Sequence, residues 1–110
     1  MLHILGNIPG ATLAVKYKVK GPMGCTSVAC ATGLAAIGDA YNWIRYGDAE
    51  YAIAGGAEDV YNSTCLYSSI KLGTMSLKEG EAREVSRPFD EGRSGFVLGE
   101  GAGVVILESY

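Results

Sequence analysis

Val28-Ala29-Cys30-Ala31-Thr32-Gly33-Leu34-Ala35-Ala36-Ile37-Gly38-Asp39-Ala40 places a cysteine where an extended segment of small residues turns into a helix, and the rest of the chain reads as support for that turn. From Ala31 to about Tyr46 the spacing is helical, with Leu34, Ile37, Tyr41 and Ile44 on one face and Asp39, Asn42 and Arg45 away from it. Gly33 and Gly38 each lower helix propensity by roughly 1 kcal/mol against alanine, so a neighbour has to approach this helix closely. Gly47 is placed to close it. A helix start presents unpaired backbone N–H groups and the positive end of the helix dipole, surroundings that favour a thiolate. Cys30 is therefore the candidate nucleophile. A small, buried, inert cysteine that lets a strand pack on the helix fits the same residues, and on these alone both readings stand.

The flanking elements follow from pattern and punctuation. Asn7-Ile8-Pro9-Gly10 opens a helix that runs through Tyr17 and, after Lys16, Lys18 and Lys20, is ended by Gly21-Pro22. The lysines suit the negative end of that helix and read as a solvated face rather than a phosphate site. Met23 to Val28 is expected as a short strand, and Tyr51-Ala52-Ile53-Ala54, continuous and apolar, as a strand buried on both faces of a parallel sheet. Strand, helix and strand would then form one right-handed βαβ unit. Asn62-Ser63-Thr64 offers a cap for a helix over about Cys65 to Leu72. Residues 73 to 95 hold nine of the 21 charged residues and read as a long surface loop. Val104-Val105-Ile106-Leu107-Glu108 is the clearest strand.

Several function classes are excluded or disfavoured. Nine Lys plus Arg against 12 Asp plus Glu give a net charge of -3, so no overall basic field exists to hold nucleic acid, and no apolar run is long enough to span a membrane. Cys25, Cys30 and Cys65 are odd in number and lack paired metal or redox spacing, which points to free thiols in a reducing compartment and to no metal site. Gly99-Glu100-Gly101-Ala102-Gly103 precedes a β-branched strand instead of a helix, so it is not a dinucleotide fingerprint, and no G-x-x-x-x-G-K loop exists. A cysteine nucleophile needs a proton acceptor, yet the only histidine is His3, which reads as structural or incidental. Met1-Leu2-His3-Ile4-Leu5 shows no signal or transit peptide.

Five blocks carry a resemblance. Ala29-Cys30-Ala31-Thr32-Gly33 with Ile37-Gly38-Asp39-Ala40, then Gly47-Asp48-Ala49, Ala54-Gly55-Gly56-Ala57-Glu58, Ser86-Arg87-Pro88-Phe89-Asp90 and Gly95-Phe96-Val97-Leu98-Gly99-Glu100-Gly101-Ala102-Gly103 resemble the β-ketoacyl-[acyl-carrier-protein] synthases, discrete condensing enzymes of the elongating class, in order and in spacing. Asn7 and Gly21-Pro22 also fall where that family keeps an asparagine and a Gly-Pro. The resemblance implies an α/β, thiolase-like fold built from two βαβαβαββ halves in five layers, with residues 1 to 110 as the middle and later part of the N-terminal half and the C-terminal half absent. Two histidines and a lysine that complete such sites belong to that other half.

The resemblance further implies that Cys30 attacks an acyl thioester on the phosphopantetheine arm of acyl carrier protein, that its backbone N–H joins the oxyanion hole, and that condensation with malonyl carrier protein yields a 3-ketoacyl product in fatty acid synthesis. No metal and no diffusible cofactor is implied. The implied partners are acyl carrier protein and a second copy, the homodimer pairing through the strand around Met23 to Val28. The implied location is bacterial cytoplasm, mitochondrion or plastid. Met23 after the Gly-Pro, Arg93-Ser94-Gly95-Phe96 in place of R-D-G-F, and Gly73 in place of a basic residue depart from the family pattern, so carrier-protein docking at Gly73 does not carry over. Two further readings are a truncated, catalytically incompetent segment acting at most as an interaction module, and a coenzyme A-dependent thiolase-superfamily relative. The R-P-F-D and G-F-V-L-G-E-G-A-G blocks argue against the second.

Overall fold

Pro9 near the start of the first apolar run suits a helix whose first N–H groups have no partner in any case, and α1 spans Ile8–Tyr17. The structure, a computed structural model, describes residues 5–110. His3, expected as a structural or incidental residue, lies outside them. The lysine-rich stretch ends α1 earlier than Gly21-Pro22. Lys18 takes a left-handed conformation (φ 55°), and the Val19 N–H reaches back to the Ala14 carbonyl at 3.0 Å, so the helix is capped by its own backbone.

The described residues fall into two units, one up to Ala57 together with Ala102–Tyr110, the other Glu58–Gly101. In the first unit a 3-10 turn, Ala29–Ala31, leads directly into α2, Thr32–Arg45. Gly47, at φ 82°, donates to the Ile44 carbonyl at 3.1 Å and closes α2 where the sequence places the stop. β1, Tyr51–Glu58, pairs with β2, Gly101–Glu108. The Ser109 N–H donates to the Glu50 carbonyl at 3.1 Å, while Gly55 lies against Gly103 and Val104. One strand therefore ascends as the other descends, and the sheet is antiparallel.

That arrangement corrects three expectations. Met23 to Val28 is not a strand: among the described residues it has no ladder neighbour, and it is tied instead to α2. Without that strand no parallel βαβ unit is present among the described residues. β1 is not buried on both faces either; Ala52 and Ala54 are buried while Tyr51 and Ile53 are exposed, the period-two alternation of a sheet covered on one side. The glycines gathered at one end of the sheet join the strands, lengthening β1 through Gly55-Gly56-Ala57-Glu58 and β2 back to Gly101.

The buried core among the described residues is Ala40, Ala52 and Ala54, with Ile37, Trp43, Ile44 and Leu107 packed against it. The buried stripe of α2 thus runs through Ile37, Ala40 and Ile44, and the expected Leu34 and Tyr41 stay 75% and 54% exposed on another side. The close approach expected at Gly33 is present, because a Cβ at Gly56 would lie 3.3 Å from the Gly33 Cα. Among the described residues nothing beyond the helix's own backbone lies within 4 Å of where a Gly38 Cβ would be.

In the second unit α3, Ser63–Lys71, begins where Asn62 accepts the Cys65 N–H at 3.0 Å through its side chain. The stretch from 73 to 95 is mostly loop, broken by the single-turn helix α4, Ala82–Val85, and by a parallel bridge between Met75 and Phe96.

Candidate active site

Cys30 sits at the centre of the 3-10 turn, exposed, two residues before the first residue of α2. Alanines on both sides leave its thiol uncovered by bulky neighbours. Ala29 holds a left-handed backbone (φ 52°), a conformation that costs a side chain bearing Cβ about 1–2 kcal/mol. The turn is closed by Ala31 N–H to the Val28 carbonyl at 3.2 Å and by Thr32 N–H to the Ala29 carbonyl. The Thr32 hydroxyl accepts the Val28 N–H at 3.0 Å and donates to the Ala29 carbonyl at 2.7 Å. None of these bonds uses the Cys30 N–H.

The segment leading into the turn is anchored on α2 at two points. Thr26 Oγ1 donates to Asp39 Oδ2 at 2.7 Å, and Gly24 lies under Trp43, whose ring would stand 3.3 Å from a Cβ there. Cys25, also exposed, donates its thiol to the Gly6 carbonyl at 3.1 Å, so the two neighbouring cysteines differ in engagement. Cys65 is half-buried and takes a hydrogen bond from Asn62 Nδ2 at 3.3 Å.

No histidine other than His3 occurs in the chain, and no cluster of His, Cys, Asp or Glu among the described residues is placed to hold a metal. No helix of the described residues is long and apolar enough to cross a membrane. Cys30 lines neither of two concavities, one of about 380 Å³ beside α1 at Ala11 and Val15, the other of about 230 Å³ in the second unit between Tyr61, Met75, Lys78 and Phe96. The turn thus presents an exposed thiol and a backbone N–H that none of the turn's own bonds uses.

In the second unit the Ser86–Asp90 block folds as a turn. Arg87 Nε donates to the Glu84 carbonyl at 3.0 Å, and Asp90 Oδ1 accepts the Gly92 N–H at 2.7 Å. The Phe89 ring between them is 99% exposed. Tyr61 donates its N–H to Glu100 Oε1 at 3.0 Å and its hydroxyl to the Leu98 carbonyl at 2.6 Å, clamping the glycine-rich block.

The family model for the β-ketoacyl synthase N-terminal domain matches residues 1–110. The chain belongs to the β-ketoacyl synthase family. Among curated relatives it is 41% identical over 108 residues to the mitochondrial 3-oxoacyl-[acyl-carrier-protein] synthase of Arabidopsis thaliana, covering 97% of this chain and 23% of that protein. It is 42% identical over 104 residues to 3-oxoacyl-[acyl-carrier-protein] synthase 2 of Vibrio harveyi, covering 94% and 25%. This chain therefore spans about a quarter of the length of those synthases. A β-ketoacyl synthase from Burkholderia phymatum superposes with a TM-score of 0.86 at 36% identity over 94% of this chain and 25% of that one. A type II polyketide ketosynthase solved with its acyl carrier protein superposes at 0.84 with 39% identity over 91% and 25%. The fold is thus part of the thiolase-like fold of the ketosynthases, as the resemblance implied.

Thr32 was not among the residues singled out from sequence, nor was the strained Ala29. The available signal was a hydroxyl in the first helical turn two residues after the cysteine, a position from which Ser or Thr readily bonds nearby backbone.

Proposed function

We propose that this chain carries the nucleophile of a β-ketoacyl-[acyl-carrier-protein] synthase and supports, by itself, the acyl-transfer half of the reaction. The observation that carries this reading is the exposed Cys30 thiol on a strained turn at the start of α2, in the first of the family's motif blocks. Cys30 Sγ attacks the carbonyl carbon of an acyl thioester on the phosphopantetheine arm of acyl carrier protein. The new S–C bond forms as the bond to the phosphopantetheine sulfur breaks, and the Cys30 thiol proton ends on the departing thiol. The Cys30 N–H, unused within the turn, donates to the oxyanion that develops at that carbonyl.

In the complete reaction the malonyl thioester loses CO2, and the resulting enolate carbon attacks the acyl group. A C–C bond forms, the bond to Cys30 Sγ breaks, and the thiolate is regained with a 3-ketoacyl thioester released from it. That step needs donors on the malonyl thioester, and His3 is the only histidine available. Acyl carrier protein is the proposed partner, and no metal or diffusible cofactor takes part. Residues 23–28, with no ladder neighbour among the described residues, are the proposed pairing edge for a second copy. Sedimentation showing only monomer at micromolar concentration would remove the dimer from this reading.

The decisive experiment mixes the chain with acyl and malonyl carrier proteins. Slow acyl label on the wild-type chain, lost in Cys30→Ala, and no 3-ketoacyl product are expected. Label that survives Cys30→Ala, or product formed as fast as by a whole synthase, would overturn the reading.

A further inference from the structure

We infer that Thr32 is a positioning residue for Cys30, its hydroxyl holding Ala29 in the left-handed conformation that aims both the thiol and the Cys30 N–H. The inference rests on the reading of Cys30 as nucleophile. A hydroxyl has one proton to donate and lone pairs to accept, and Thr32 uses both kinds on the two residues preceding Cys30. It accepts from Val28 N–H at 3.0 Å and donates to the Ala29 carbonyl at 2.7 Å. The same carbonyl also takes the Thr32 backbone N–H, so one residue fixes that oxygen from two directions.

The geometry of the peptide bond carries the consequence to the site. The bond joining Ala29 to Cys30 is trans and planar, so the Cys30 N–H points opposite to the Ala29 carbonyl. Holding the carbonyl toward Thr32 therefore holds the N–H away from the turn, free to meet an oxyanion. The alternative for Ala29 is an ordinary φ, which would turn this peptide plane and carry the Cys30 Cα–Cβ bond with it. Alanine has no intrinsic preference for φ 52°, so the clamp must supply it.

The test measures acylation of Cys30 in the 110-residue chain by a hexanoyl thioester of pantetheine, as a function of thioester concentration, with iodoacetamide labelling of Cys25 and Cys65 as the control for folding. Thr32→Val keeps the shape and removes the hydroxyl. It should lower the maximal acylation rate about tenfold with little change in half-saturating concentration. Thr32→Ser should restore the rate. Ala29→Gly in the Thr32→Val background should recover much of it, because glycine takes a left-handed φ without cost. Unchanged acylation in Thr32→Val would overturn the inference while leaving Cys30 as nucleophile. So would a loss that neither Ser nor Ala29→Gly relieves and that comes with faster labelling of Cys25, since Thr32 would then act only on stability. Acyl label that persists in Cys30→Ala, or none on the wild-type chain, would instead remove the nucleophile reading on which the inference stands.

Discussion

The two units are held together by different means. In the first, backbone meets backbone: α2 rests on β1 where Gly33 meets Gly56, β1 meets β2 at Gly55, and the buried side chains among the described residues are three alanines. In the second, side chains make the links: Asn62 caps α3, Tyr61 is tied to the Leu98 carbonyl and the Glu100 carboxylate, Lys78 Nζ donates to the Gly92 carbonyl at 2.8 Å, and the Ser76 and Ser94 hydroxyls bond each other. Close backbone packing tolerates no added atoms, whereas a network of exposed hydrogen bonds loses its members one at a time. The turn that carries Cys30 lies in the first unit but is itself held by side-chain bonds of Thr32 and by Thr26 to Asp39, so it combines both modes.

The largest effect should come from Gly55→Ala. A Cβ there would collide with the Gly103 carbonyl oxygen and lie 2.8 Å from the Val104 Cα, and neither is the movable end of a side chain. A loss of about 3 kcal/mol or more is expected, read as collapse of amide protection across β1 and β2 in hydrogen exchange. A near-neutral Gly55→Ala would mean that the first unit is not built on backbone contact. Next comes Gly95→Ala, in the second unit. Gly95 has φ 129°, and its Cβ would stand 2.6 Å from the Thr74 carbonyl, which accepts the Phe96 N–H at 2.8 Å. The expected cost is about 2 kcal/mol, with exchange of the Phe96 and Ser76 amides accelerated first. Tyr61→Phe removes only the hydroxyl bond to Leu98 and should cost about 1 kcal/mol or less in a denaturant titration. A larger loss would show that the second unit is as tightly cooperative as the first.

Much of this was legible from residues. The helix after Cys30, its stop at Gly47, the cap at Asn62 and the strand at Val104 each rest on local chemistry that acts within a few residues, and all four are present. Met23 to Val28 failed as a strand because a strand requires a neighbour, and a weakly alternating segment cannot name one; Thr26 and Gly24 settle on Asp39 and Trp43 instead. The face read for α2 is right at Ile37 and Ile44, which pack against the core, and wrong at Leu34 and Tyr41, which stay exposed, for a related reason. Leu34 and Tyr41 are larger than Ala40, yet β1 meets the helix through Ala52 and Ala54, so a small residue makes the closest approach. Cys30 was legible as a helix-start thiol, while the Thr32 clamp was signalled only by a hydroxyl in the first helical turn, because which backbone groups it bonds depends on the turn that Ala29 makes.

The central claim is that the fold singles out Cys30 among three free thiols. Limited iodoacetamide treatment under native conditions, followed by peptide mapping, tests it without any substrate. Cys30, exposed at the start of α2, should be labelled first; Cys25, engaged with the Gly6 carbonyl, should follow; and half-buried Cys65 should be last. Equal labelling of all three, or Cys25 ahead of Cys30, would contradict the account.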